Sequence, residues 1–152
     1  MKFFKRPWVR RALLAIIVVL LAIQLVPARV SNPSKRDEPQ WDSPRTRTLA
    51  VAACFDCHSN QTHVLWFERI APLSWWIKQH VDEGRDALNF SEWSNRHGEV
   101  GDTIETITNG SMPPNYYTWF GMHSNAKLTA VEKKQLADGL RKTFRAAGIT
   151  GG

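Results

Sequence analysis

The sequence predicts an all-α protein, in which a small helical domain follows a single N-terminal transmembrane helix. Apolar residues recur at helical spacing in several stretches of the C-terminal two thirds. No stretch alternates convincingly with the two-residue period of a β-strand, and the N-terminus opens with a long apolar run. We therefore expect helices throughout and no β-sheet.

The N-terminal segment, residues 1–28, has the pattern of a membrane anchor or a secretory signal. Residues 12–26 contain one polar member, Gln24, with five cations before them and Pro27 after them. At about 1.5 Å per residue, this run covers roughly 22 Å of a hydrocarbon core about 30 Å thick. We favour a retained anchor over a cleaved signal, with the basic head in the cytoplasm.

The formal net charge of +6 comes from the same basic head. Five of the 20 Lys and Arg residues precede residue 12, and the other fifteen face 14 Asp and Glu. The remaining chain is therefore close to +1, which gives no support to nucleic-acid binding. Residues 29–46 contain three prolines and many charges and predict an extended linker, in which Trp41 is the one large apolar residue available to dock on the domain.

Helix-start and helix-stop residues predict four helices in the folded domain, residues 47–150. The first helix leads into Cys54, and the second begins with Ser74 as its cap. Residues 109–110, Asn-Gly, stop the third helix. The fourth opens with a capping box formed by Thr129 and Glu132.

The only two cysteines, Cys54 and Cys57, are followed directly by His58 in a C-x-x-C-H motif. Two thiols at this spacing attach a haem through its vinyl groups, and the adjacent histidine ligates the iron. We therefore predict one covalent haem c per chain, held by these three residues, with His58 as an iron ligand.

Three other interpretations of the paired cysteines remain open. A zinc site usually needs four ligands, and no second cysteine pair exists. A thioredoxin-like C-x-x-C pair belongs in a βαβ setting, which the sequence does not predict. A plain disulfide has no need of His58.

Met112 is the predicted sixth ligand of the iron. It precedes two prolines, which stiffen the loop that presents its thioether, and methionine opposite histidine raises the potential of a haem. The alternatives are a core methionine at this position and His80 as the ligand, since His80 borders the apolar face of its helix. Trp76 and Tyr116 are the aromatic residues that we expect to cover the haem.

The chain resembles the bacterial haem-binding domain family of anchored proteins that are similar to class I cytochromes c. The resemblance covers about residues 49–147. It rests on five segments in the same order: CFDCHSN at 54–60, IAPLSWWI at 70–77, HVDEGR at 80–85, LNFSEW at 88–93 and Met112-Pro113. It implies a small cytochrome c-like helical domain around one c-type haem, placed in the periplasm.

These observations together predict an electron-transfer protein rather than an enzyme, with no catalytic residues. We expect a single-pass protein of the bacterial inner membrane, whose periplasmic haem domain meets a redox partner protein that the sequence does not identify. The alternative function is a haem-based sensor or small peroxidase, which requires a labile sixth ligand.

Overall fold

The computed structural model describes residues 6–34, 37–95 and 97–149. Their regular structure is helical without any β-strand, apart from one isolated bridge between Asp37 and Glu92, which agrees with the all-α prediction. The α-helices are α1 (Pro7–Ile23), α2 (Pro44–Ala53), α3 (Phe55–His58), α4 (Leu73–Ala87), α5 (Val100–Asn109) and α6 (Ala130–Ala146). Short 3₁₀ segments cover Phe67–Arg69, Asn115–Gly121 and Ser124–Ala126.

The predicted N-terminal transmembrane helix is wrong. Across the part of the chain that the structure describes, no helix combines the length and the apolar character needed to cross a membrane. Helix α1 has 17 residues, includes Arg10 and Arg11, and ends at Ile23 before the apolar run does. A helix of this length covers about 25 Å, which is shorter than a hydrocarbon core of about 30 Å. The same finding overturns the expected location, which was that of a single-pass inner-membrane protein with a periplasmic domain.

The chain forms two compact units, Met1–Val30 with Val64–Gln79, and Ser31–His63 with His80–Gly152. Helix α4 contributes its first part to the first unit and its second part to the second unit. The segment boundaries expected from the sequence, 1–28, 29–46 and 47–150, stay a prediction.

In the first unit, hydrogen bonds join the residues after α1 to the start of α4. The Gln24 side-chain amide donates to the Ala71 carbonyl and accepts from the Ala71 N–H, each over 3.0 Å. The Trp75 indole N–H donates to the Val26 carbonyl over 2.9 Å. The one polar residue of the apolar run therefore satisfies the backbone of Ala71, which is itself buried.

The second unit contains a hydrophobic core to which α2, α3, α5 and α6 contribute. Phe90 and Phe144 are fully buried, and the rings of Phe55 and Phe90 stack with centroids 5.5 Å apart. Trp41 lies on this stack, 5.2 Å from the Phe90 ring, so the predicted docking of Trp41 on the domain is confirmed. Burying side chains of this size stabilises the fold by roughly 1.5–3 kcal/mol each.

Local capping explains the start of α6, the end of α5 and the start of α2. The capping box of Thr129 and Glu132 opens α6, and Gly110, in the left-handed region with φ 82°, follows the end of α5, so both predictions are confirmed. Ser43 caps α2 by accepting a hydrogen bond from the Thr46 N–H. Helix α4 begins at Leu73, so the prediction that Ser74 caps it is wrong.

Helices α2 and α6 approach each other closely at Gly139. A Cβ atom built on Gly139 lies 2.0 Å from Thr46 Oγ1 and 2.9 Å from Asp42 Oδ1. Only a residue without a side chain fits at this contact, because real Cβ atoms do not come so near to other heavy atoms. The crossing brings Thr46, itself buried, against the buried face of α6.

We predict that Gly139→Ala lowers the free energy of unfolding by about 1–3 kcal/mol, because the new methyl group overfills this contact. The matched control is Gly101→Ala on α5, where a Cβ meets nothing within 4 Å. That change is expected to be neutral or to stabilise by up to about 1 kcal/mol, since alanine favours a helix over glycine. Urea denaturation of both variants measures the difference, and equal midpoints contradict the close approach.

Candidate functional site

Helix α3 is one turn long and carries the residues of the C-x-x-C-H motif. Phe55 anchors it in the core, with only 3% of its surface exposed, while Cys54, Cys57 and His58 are half-buried beside it. Cys54 joins α2 to α3, donating its N–H to the Ala50 carbonyl and accepting from the His58 N–H, each over 2.8 Å. The two sulfurs and the imidazole therefore come from one short turn that is fixed at both ends.

The imidazole of His58 is oriented by a backbone carbonyl at the end of α4. Its Nδ1 lies 3.1 Å from the Leu88 carbonyl oxygen, which only accepts hydrogen bonds, so Nδ1 carries the proton and Nε2 has the lone pair. Burial lowers the pKa of His58 and outweighs the opposing effect of the Leu88 and Gly84 carbonyls. A neutral ring with a fixed tautomer is the form that ligates a metal ion.

Helix α4 touches the motif again at Gly84. A Cβ atom at this position lies 2.7 Å from the Cys57 carbonyl oxygen and 3.2 Å from Cys57 Cβ. The Phe90 N–H also donates to the His58 carbonyl over 2.8 Å. Residues 84–90 therefore hold α3 through contacts with Cys57 and His58.

The two cysteines do not form a disulfide, and both are thiols. Burial, together with the nearby Cys57, raises the pKa of Cys54 to about 12. Within residues 6–34, 37–95 and 97–149, no cluster of three or more His, Cys, Asp or Glu side chains is placed to hold a metal ion.

The other predicted site residues occupy three places. Met112 lies in the loop after α5, where its side chain is 40% exposed and its N–H donates to the Thr106 carbonyl over 3.0 Å. Burial raises the pKa of Tyr116, and the charges of Cys57 and Glu83 raise it further. The Tyr116 ring also meets the His80 ring edge-on at 6.1 Å.

Trp76 is placed on the part of α4 that belongs to the first unit, whereas the motif belongs to the second. Its side chain is 41% exposed. Its expected role as a residue that covers the cofactor stays a prediction.

A carboxylate inside the motif forms the centre of a cluster that the sequence did not predict. Asp56 accepts hydrogen bonds from the Tyr117 hydroxyl and from the His63 N–H, and its Oδ2 lies 3.3 Å from His123 Nδ1. Burial raises the pKa of Asp56, but the hydrogen bonds from His123, Tyr117 and His63 together hold it below its usual value. Asp56 therefore stays ionised beside the haem-type motif.

Arg85 is the second residue near the motif whose role the sequence did not predict. Its guanidinium is buried and donates to the Ser59 and Ser31 carbonyls, each over 2.8 Å. It also donates to Asn32 Oδ1 over 3.0 Å and to Thr62 Oγ1 over 2.9 Å. Burial lowers the pKa of Arg85. The N–H groups of the Arg85 guanidinium hold residues 59–62 in place, and these residues follow His58 directly in the chain.

Neither the Asp56 cluster nor the Arg85 network has a local signal in the sequence. Asp56 occupies a variable position of C-x-x-C-H, and its partner Tyr117 is 61 residues away. Arg85 and Ser31 are separated by 54 residues. Only the fold brings these residues together.

The fold and this donor set define a small all-helical protein with two thiols and an oriented, neutral histidine on one turn, a set suited to holding haem. The chain belongs to the haem-binding domain family, because the family model described as Haem-binding domain matches residues 18–142. Haem is therefore its cofactor, as predicted. No curated protein and no solved structure matches the chain.

We predict that Arg85→Lys lowers the free energy of unfolding by roughly 2–4 kcal/mol, because an ammonium group cannot reach all four acceptors of the guanidinium. The matched control is Arg141→Lys, whose partner Asp138 is 2.9 Å away at a surface where both side chains are 43% exposed. That change is expected to cost less than about 1 kcal/mol. Thermal unfolding followed by circular dichroism compares the two, and equal costs contradict the buried network.

Proposed function

We propose that this protein attaches one haem covalently through Cys54 and Cys57, ligates its iron with His58, and transfers electrons. The observation that carries the proposal is the hydrogen bond from His58 Nδ1 to the Leu88 carbonyl, which leaves the lone pair on Nε2 for a metal ion. Both thiols lie on the same turn as this ring, and neither is tied up in a disulfide. When bound, haem iron supplies one-electron chemistry.

Met112 is the residue that we propose as the second axial ligand. Its loop is stiffened by Pro113 and Pro114, and Tyr117, five residues after Met112, donates a hydrogen bond from its hydroxyl to Asp56 between the two cysteines. His80 is the alternative ligand, since its ring meets the Tyr116 ring edge-on at 6.1 Å.

With both axial positions filled by side chains, the iron has no open coordination site, and electron transfer is the function that remains. The residues of this chain then set the reduction potential of the haem. They supply a thioether ligand, an imidazole hydrogen-bonded to a carbonyl, and aromatic cover that excludes water. The partner is a redox protein, and the cytochrome c-like arrangement of helices around the haem is part of the same proposal.

We predict that the purified protein, made in cells with working haem-attachment machinery, is heavier than its polypeptide by the mass of one haem. A haem stain on a denaturing gel is expected to be positive, since only covalent haem remains on the chain. Changing Cys54 and Cys57 together to Ala is expected to abolish the stain. A chain with the mass of its amino acids alone contradicts covalent attachment.

We predict that Met112→Ala lowers the midpoint potential of the haem and lets reduced protein bind carbon monoxide, because the thioether ligand is lost. Met122→Ala is the control, since it removes the other methionine of the same region. Visible spectra in both redox states, with a potentiometric titration, measure the change. An unchanged low-spin spectrum in Met112→Ala means that Met112 is not the ligand, and ready carbon monoxide binding by the unaltered protein favours the sensor or peroxidase.

A further inference from the structure

The Asp56 carboxylate ties the turn that bears the two cysteines to a distant part of the chain. Its Oδ2 accepts a hydrogen bond from the Tyr117 hydroxyl and lies 3.3 Å from His123 Nδ1, while its Oδ1 accepts a hydrogen bond from the His63 N–H over 2.8 Å. The His123 side chain is 8% exposed and that of Asp56 is 25% exposed. Charge-assisted hydrogen bonds of this kind are stronger than neutral ones, and more so away from water.

The two residues that meet Asp56 also stack on each other. The rings of Tyr117 and His123 are 4.1 Å apart and inclined by only 14°. His123 adopts a left-handed backbone with φ 41°, which is uncommon for a residue other than glycine. The stack and the shared carboxylate therefore hold both ends of residues 117–123 at one point of α3.

The same segment begins at the Met112 loop. Tyr117 follows Met112 by five residues, so an extended chain between them spans at most about 18 Å. The Tyr117 N–H donates to the Pro114 carbonyl over 3.0 Å, which closes a turn and shortens this path. At its other end the loop is held by α5, because the Met112 N–H donates to the Thr106 carbonyl over 3.0 Å. Met112 therefore lies between an attachment to α5 and an attachment to Asp56.

We propose that Asp56, Tyr117 and His123 form a latch that fixes the Met112 loop to the cysteine-bearing turn and so keeps the Met112 thioether on the haem iron. The latch rests on the proposed function, in which Met112 is the sixth ligand. Its members are positioning residues, since they act through Met112 and not on the iron. Because Asp56 lies between Cys54 and Cys57, the latch fastens the sixth ligand to the same turn that supplies the fifth.

A latch of this kind controls how often the sixth coordination position opens. An added ligand such as imidazole binds only when Met112 has left the iron, so its apparent affinity is proportional to the open fraction. Loosening the loop raises that fraction without removing the thioether. Imidazole binding to the oxidised haem protein is therefore a direct measure of the latch, and the intensity of the thioether-to-iron absorption band is a second.

The test is Tyr117→Phe, which deletes one hydroxyl and keeps the ring stacked on His123. Losing a hydrogen bond to a carboxylate is expected to raise the apparent imidazole affinity about tenfold or more and to weaken the thioether band, with covalent haem unchanged. Ser124→Ala is the matched control, because it removes an exposed hydroxyl from the same segment without touching Asp56. His123→Asn, which tolerates the left-handed backbone, is expected to act in the same direction as Tyr117→Phe.

The double variant Tyr117→Phe with Met112→Ala separates a latch from general loosening of the fold. If Tyr117 acts only through Met112, the double variant binds imidazole as tightly as Met112→Ala alone. A further increase in the double variant contradicts the latch. The latch is also contradicted if Tyr117→Phe binds imidazole with the affinity of the unaltered protein while Met112→Ala binds it more tightly. In that case Met112 remains the proposed ligand. If Met112→Ala itself leaves imidazole affinity unchanged, the proposed ligand is wrong and the latch with it.

Discussion

The proposed haem site depends on one constraint. The residues that follow α4 form hydrogen bonds to His58 and fix its position. The ring is bonded to the Leu88 carbonyl, and the His58 carbonyl is bonded to the Phe90 N–H. Phe90 in turn stacks on Phe55, which precedes the second cysteine in the motif. The orientation of the His58 imidazole is therefore set by the hydrophobic core of the second unit.

Two ionised side chains flank this histidine, and each is held by several hydrogen bonds. Arg85 donates to carbonyls and side-chain oxygens of residues 31–32 and 59–62. Asp56 accepts from Tyr117 and from the His63 backbone. A group removed from water is costly unless its hydrogen bonds are made, and a satisfied network of this kind stiffens what surrounds it. Here it stiffens the turn from residue 54 to residue 63.

Two capping predictions that depend on a few neighbouring residues are confirmed, whereas the Ser74 cap of α4 and the N-terminal membrane span are wrong. The capping box at Thr129 and the glycine stop after α5 follow from hydrogen bonds within one turn. The N-terminal prediction took an apolar run for a membrane span. The helix includes two arginines and ends at Ile23, and the polar residue that follows bonds to Ala71, a partner 47 residues away.

The sequence by itself determined the all-α class, the end of α5, the start of α6 and the haem cofactor, because periodicity, capping and short motifs are written within a few consecutive residues. Only the tertiary structure decided which carbonyl orients His58, which cation supports the residues after it, and which side chains meet Asp56. Those partners lie 23 to 67 residues away along the chain. No local pattern encodes such a pairing, since it arises only when separate helices close around one core.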